Sequence, residues 1–290
     1  MQTRRIGPFE VSAVGLGAMP LSIEGRPDVG RAIATVHAAL DAGMTLIDTA
    51  DAYHVGAEEI GHNETLIAKA LSLYGSASEV LVATKGGSLR PGDGSWTVDG
   101  RPEYIKRACE QSLARLGVEA IGLYQFHRPD PRIPYAESVG ALAELLDEGK
   151  IVAAGISNAD PEQIRTAQEV LGGRLASVQN QFSPAFRSSR PELDLCHELG
   201  IAFLPWSPLG GISRARRLGT RHLPLTYVAQ QLDATPQQVC LAWMLALSPV
   251  VVPIPGSSRP ETARSSAAAT ELQIPAGELD LLDASRPVTV

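Results

Sequence analysis

The chain has 290 residues, 44% of them hydrophobic and 20% charged, with a formal net charge of −7. That is the balance of an ordinary globular protein, and the acid excess argues against nucleic-acid binding through a general basic face. The longest apolar run, 240–247, covers eight residues, far short of the about 20 that a membrane-spanning helix needs.

Strand and helix patterns alternate along the chain. Strand candidates fall at 13–16, 45–47, 80–83, 121–126, 152–156, 177–179, 202–204 and 250–252. Several are near-continuous apolar runs, the pattern of strands covered on both faces. The amphipathic segments between them carry start signals. Asp160-Pro161-Glu162-Gln163 and Thr235-Pro236-Gln237-Gln238 each combine a capping side chain, a first-turn proline and a glutamine three residues past the cap. Arg101-Pro102-Glu103, Arg190-Pro191-Glu192 and Arg259-Pro260-Glu261 place an acid where a helix dipole favours it. Gly43, Gly117, Gly149 and Gly200 follow helical stretches, as C-terminal glycines do.

Eight strand–helix repeats without a Ser- or Pro-rich linker predict an α/β fold, a (β/α)8 TIM barrel forming a single domain over 1–290. An open doubly wound sheet would carry GxGxxG after its first strand; here the turn reads Gly15-Leu16-Gly17-Ala18-Met19, without the third glycine. Two segments exceed the minimal repeat, 86–101 after the third strand and 206–223 after the seventh. Loops after strands build the sites of such barrels, so both are expected substrate walls. The N-terminus, MQTRRIGPFEV, has no apolar stretch of signal-peptide length. The three cysteines, Cys109, Cys196 and Cys240, have neither CxxC nor metal spacing, which suits a cytoplasmic, reducing location.

Four polar residues stand at the expected strand ends. DTADAY at 48–53 puts Asp48 at the end of the second strand and Tyr53 just beyond. Lys85 ends the third strand and His127 the fourth. Singly, each has a commonplace reading: a turn former, a solvated lysine, a packed tyrosine, a structural histidine. Together they make a proton-transfer site. An ammonium about 4 Å away stabilises a phenolate by about 4 kcal/mol at an effective dielectric of 20, enough to bring a tyrosine from about 10 towards neutrality, where general acid–base catalysis works best. Asp48 would keep the lysine charged, and His127 would orient a carbonyl oxygen.

These residues, with Leu16-Gly17, Gly61-His62-Asn63-Glu64, Gly155-Ile156-Ser157-Asn158, Val178-Gln179-Asn180-Gln181, Trp206-Ser207-Pro208-Leu209-Gly210 and Ile254-Pro255-Gly256, resemble the aldo-keto reductase family over nearly the whole chain. The resemblance implies NADPH-dependent reduction of an aldehyde or ketone without a metal. Tyr53 would be the proton donor, tuned by Lys85 and Asp48. It assigns the nicotinamide carboxamide to Ser157, Asn158 and Gln179, with Gln181 as a neighbouring alternative, and the nicotinamide ring to Trp206. Gly17 and Asp48 would also border the cofactor, and Ser207, Leu209 and Gly210 the pyrophosphate. Gly256, Ser257, Ser258 and Arg259 open a helix suited to an anion. Ser265-Ser266 stands where many relatives carry Glu-Asn, and Thr262 where many carry a basic residue. The 2′-phosphate therefore falls to Arg259, with Arg264 as second candidate, and NADH is the less favoured cofactor. Trp96 and Trp206, with Met19 or Leu21, are expected apolar walls for the substrate. The competing functions are a non-catalytic NADPH-binding redox sensor of the same fold, a Schiff-base aldolase acting through Lys85, and an isomerase using Tyr53 and His127.

Overall fold

The computed structural model describes residues 1–285, so 286–290 of the expected domain lie outside the described residues. Seven parallel strands form one continuous sheet in sequential order: Leu16–Gly17, Leu46–Asp48, Leu81–Gly86, Ile121–Phe126, Ile151–Ser157, Leu175–Gln179 and Ala202–Phe203. The eighth expected strand closes the ring without forming a regular ladder. Val252 N–H donates to Phe203 O at 2.9 Å and Ile254 N–H to Pro205 O at 3.3 Å, while Gly15 and Gly17 donate to the carbonyls of Pro253 and Pro255 at 2.9 and 3.0 Å. The two prolines offer carbonyls towards the first strand but lack the N–H that would return the bond, so pairing on that side survives only as the single bridge Gly17↔Gly256, while the other side meets the seventh strand at the bridge Phe203↔Val251.

The helices ring the barrel, and Val29–Asp41 packs against Pro260–Ala268 to complete the circle. Both predicted capping boxes form, at Asp160 and at Thr235. Gly117 and Gly200 cap their helices in the left-handed region. Among the described residues no helix is long and apolar enough to cross a membrane.

The N-terminal element was not expected. Thr3–Ile6 and Phe9–Ser12 form an antiparallel hairpin, and Ala13 N–H bonds back to Gln2 O at 2.8 Å. Ala13 therefore belongs with the hairpin, and the first barrel strand begins only at Leu16. Ile6 and Val11 join Leu46, Leu81, Leu123, Ala153, Ala176 and Ala202 in one buried cluster. These lie towards the N-terminal ends of their strands, so the hairpin plugs that end of the barrel. Each fully buried aliphatic side chain there contributes about 1.5–3 kcal/mol. The opposite rim is left for the site, as in other barrels of this kind.

Candidate active site

The four sequence-predicted residues meet at the C-terminal rim. Lys85 is completely buried, and Asp48 and Tyr53 retain 3% and 6% exposure. The ammonium spends its three donors inside the protein: Asp48 Oδ2 at 2.7 Å, Thr49 O at 2.8 Å and Tyr53 Oη at 3.2 Å. Because Tyr53 Oη accepts from Lys85, its own hydrogen is free for a group in the cavity. The rings of Tyr53 and His127 meet edge to face, with centroids 5.8 Å apart.

A polar layer beneath this cluster was not legible in the sequence. Lys85, Gln125, Gly155 and Ser177 stand side by side across four strands. Gln125 Nε2 and Gln179 Nε2 both donate to Asp48 Oδ1, at 3.4 and 2.8 Å, and Ser177 Oγ donates to Gln125 Oε1 at 3.3 Å. Asp48 thus has donors at both oxygens. Gly155 makes the layer possible: a Cβ there would lie 2.2 Å from Ser177 Oγ and 2.9 Å from Gln125 Cγ. The signal available was three polar residues, Gln125, Ser177 and Gln179, inside otherwise apolar strands.

The pKa shifts correct one expectation. Burial raises the Tyr53 phenol above its ordinary value, and the opposing Lys85 charge does not overcome it. The phenol is therefore not poised near neutrality but stays protonated, the state a donor must start from. Burial also opposes the Lys85 charge, yet Asp48 and then Tyr53 outweigh it and hold the ammonium above the usual lysine range. His127 is driven far below the usual imidazole range, first by burial and then by the charges of Lys85 and Arg128. Its Nδ1 is buried without a partner among the described residues. It is a neutral imidazole facing the phenol.

All four residues border, or lie directly beneath, one cavity of about 640 Å³. Gly17, Asp48, Ser157, Asn158, Gln179, Trp206, Ser207, Leu209 and Gly256 line it, as do the predicted walls Trp96 and Met19. Leu21 does not. It is buried in the apolar cluster behind the first two strands, so the expectation of a Leu21 wall is corrected. Gly210 lines a small neighbouring pocket instead. Ser257, Ser258, Arg259, Thr262, Ser265 and Ser266 lie on or just before the helix Pro260–Ala268, beyond the cavity lining. There Thr262 Oγ1 donates to Arg259 O at 2.8 Å. Gln181 pairs with Trp206 through a backbone bridge and does not line the cavity; Gln179 is the inward one.

The fifth and sixth strand ends are organised around carbonyls. Ser157 Oγ donates to Gln179 O at 2.7 Å, and Asn158 Nδ2 donates to His127 O and to Ser157 Oγ, both at 3.0 Å. Asn158 and Ser207 hold φ of 57° and 51°, a left-handed backbone that persists in non-glycine residues only where surroundings impose it. Gln179 Oε1 takes no hydrogen bond among the described residues, although its amide nitrogen is committed to Asp48. That oxygen, beside Ser157 and Asn158, fits a planar carboxamide.

Three loops are tied at the mouth by Arg90, which sequence reasoning missed. Its buried guanidinium donates to His54 O and to Glu24 Oε1, and stands 4.8 Å from the centre of the Trp96 ring. It links the loops after the first, second and third strands and holds Trp96 against the cavity. The loop at 86–101 also forms a small hairpin, Ser88–Leu89 with Thr97–Val98.

With this geometry in place, comparison with known proteins is consistent throughout. The aldo/keto reductase family profile matches residues 13–287, and the chain belongs to that family of oxidoreductases. It is 34% identical to the uncharacterized oxidoreductase C215.11c of Schizosaccharomyces pombe, over 94% of this chain and 86% of the relative. It is likewise 34% identical to the probable aldo-keto reductase 1 of Glycine max, over 87% and 78%. Among solved structures, an aldo/keto reductase from Klebsiella pneumoniae in complex with NADP and acetate superposes with a TM-score of 0.80 at 29% identity, covering 97% of this chain and 94% of that one. The glycerol dehydrogenase AKR11B4 of Gluconobacter oxydans gives 0.83 at 27%, with the same coverage.

Proposed function

We propose that the protein reduces aldehydes or ketones to alcohols with NADPH, with Tyr53 as proton donor. The observation that carries this reading is the Lys85 ammonium, 2.7 Å from Asp48 and 3.2 Å from the Tyr53 oxygen, beneath a cavity large enough for a cofactor and a small substrate. Tyr53 and neutral His127 hold the carbonyl oxygen, and Tyr53 gives its proton as negative charge develops there. Lys85 is already hydrogen-bonded to the oxygen left behind, so it stabilises the phenolate without rearrangement. Asp48, held by Gln125 and Gln179, keeps the ammonium in place. Ser157, Asn158 and Gln179 would hold the carboxamide of a nicotinamide, Trp206 its ring, and Ser207, Leu209, Gly210 and the start of the helix at Pro260 the phosphates. The bound cofactor supplies the hydride.

A Schiff-base aldolase is disfavoured because Lys85 is charged and fully committed to hydrogen bonds. The proposed unit is one barrel over residues 1–290. Its three cysteines are free and buried, which fits a cytosolic setting. A panel of aldehydes and ketones, followed by loss of NADPH absorbance, tests the reading. Steady turnover supports it, while NADPH binding without turnover would favour the redox sensor. Arg259→Ala should lower kcat/KM for NADPH about tenfold or more and leave NADH nearly unchanged, since a guanidinium meets the 2′-phosphate bidentately. Equal NADPH efficiency in both proteins would remove Arg259 from that role.

A further inference from the structure

Besides Tyr53, four ionisable side chains line the cavity: Glu24, Asp48, His127 and Arg128. Three are internally balanced. Asp48 is paired with Lys85 and Glu24 with Arg90, and His127 is neutral. Arg128 has no hydrogen bond or ion pair among the described residues. Arg128 is exposed at the mouth, so the rim of the cavity carries one uncompensated positive charge, in a chain whose net charge is −7. Topology separates that charge from the phosphates of the proposed cofactor. They are assigned to residues following the seventh strand and the closing segment, whereas Arg128 follows the fourth strand, at the middle of the sheet order and so across the barrel. It directly follows His127, close enough to add to the depression of that imidazole after burial and the Lys85 charge. The guanidinium thus stands on the side where the substrate carbonyl is held.

We propose that Arg128 recognises a carboxylate on the substrate, and that the preferred substrates are aldehydes or ketones carrying that carboxylate on a flat apolar body. The inference rests on the reductase reading above and names its substrate class. A planar guanidinium pairs with a carboxylate through two parallel hydrogen bonds. Because Arg128 is exposed, salt screens the attraction. Trp96, Val98 and Ile212 line the same cavity and would hold the apolar body between its two polar ends. Anchoring both ends fixes the carbonyl against Tyr53.

The test compares kcat/KM for 4-carboxybenzaldehyde with that for methyl 4-formylbenzoate, at low salt, in wild type, Arg128→Gln and Arg128→Lys. Wild type should favour the acid by about tenfold or more, mainly through KM. The ratio should fall close to one in Arg128→Gln, recover in part in Arg128→Lys, and shrink in wild type as salt is added. A ratio unchanged in Arg128→Gln would overturn the inference. A larger preference for 4-formylphenyl phosphate would overturn the carboxylate assignment. If no carbonyl compound is turned over, the reductase reading fails, and a separate measurement still judges Arg128: binding of 4-(hydroxymethyl)benzoate and its methyl ester, followed by tryptophan fluorescence. A loss of about tenfold in affinity for the acid alone in Arg128→Gln supports the carboxylate site, and equal affinities contradict it.

Discussion

Thr84 and Lys85 are neighbours on the third strand and face opposite ways, as alternate strand residues must. Each serves a buried ion pair. Inside the barrel, Lys85 binds Asp48. Outside it, Thr84 Oγ1 donates to Glu64 Oε1 at 2.5 Å, and Glu64 Oε2 meets Arg115 Nε at 2.6 Å. Asp51 lies in this second cluster, fully buried with Oδ1 unpartnered, and its carboxyl is raised well above the usual range by burial and then by the Glu64 charge. The two pairs are alike in chemistry, each a carboxylate joined to a cation far along the chain. They differ in what the cation touches next: Lys85 reaches a phenol whose proton faces a cavity, and Arg115, among the described residues, reaches only Ser112 Oγ at 3.2 Å. Burial of a charge pair is therefore not the mark of a site. The mark is an outlet for a proton.

Substitutions sharpen this contrast. Lys85→Met should lower kcat by about 10²- to 10⁴-fold, the range of a lost acid–base function, with the protein still folded by circular dichroism; near-normal turnover would make the inner pair merely structural. Glu64→Gln should do the reverse. It leaves Arg115 and Thr84 without their carboxylate, costing about 3 kcal/mol, the low end for breaking a buried pair because Arg115 remains partly exposed, while kcat of the folded protein stays within about twofold. Urea unfolding and steady-state kinetics separate the two.

The smallest effect is expected at Asp51. Its folded pKa lies above the unfolded one, so its protonated form adds stability at low pH, and that contribution disappears as pH rises through the folded value. Asp51→Asn removes the dependence. It should raise Tm by a few degrees at pH 8 and by less at pH 5, and a gain larger at pH 5 would contradict the assignment.

What could be read beforehand follows from the range of the interactions involved. Asp48, Lys85 and His127 were legible because strand ends are marked by local apolar runs, and a barrel brings successive ends together. The capping boxes at Asp160 and Thr235 were legible for the same reason, each being contained within four residues. Arg90 was not, because its carboxylate, Glu24, is 66 residues away and belongs to another loop. Nor was the hairpin at Thr3–Ile6, whose strands are short and pair outside the barrel sheet. Pro253 and Pro255 stood in the sequence, but their effect depends on which side of the closing segment each carbonyl faces. The direction of the Tyr53 shift was missed because a pairwise estimate counts the neighbouring ammonium and omits the lost water.

The central claim is that the Tyr53 hydroxyl delivers the proton. The direct measurement is kcat for carbonyl reduction by wild type and Tyr53→Phe, alongside NADPH affinity by fluorescence titration. The account predicts a fall of about 10²-fold or more in kcat with affinity nearly unchanged, since the lost hydroxyl acts on the transition state. A Tyr53→Phe enzyme retaining a tenth of wild-type kcat would show that the proton comes from elsewhere.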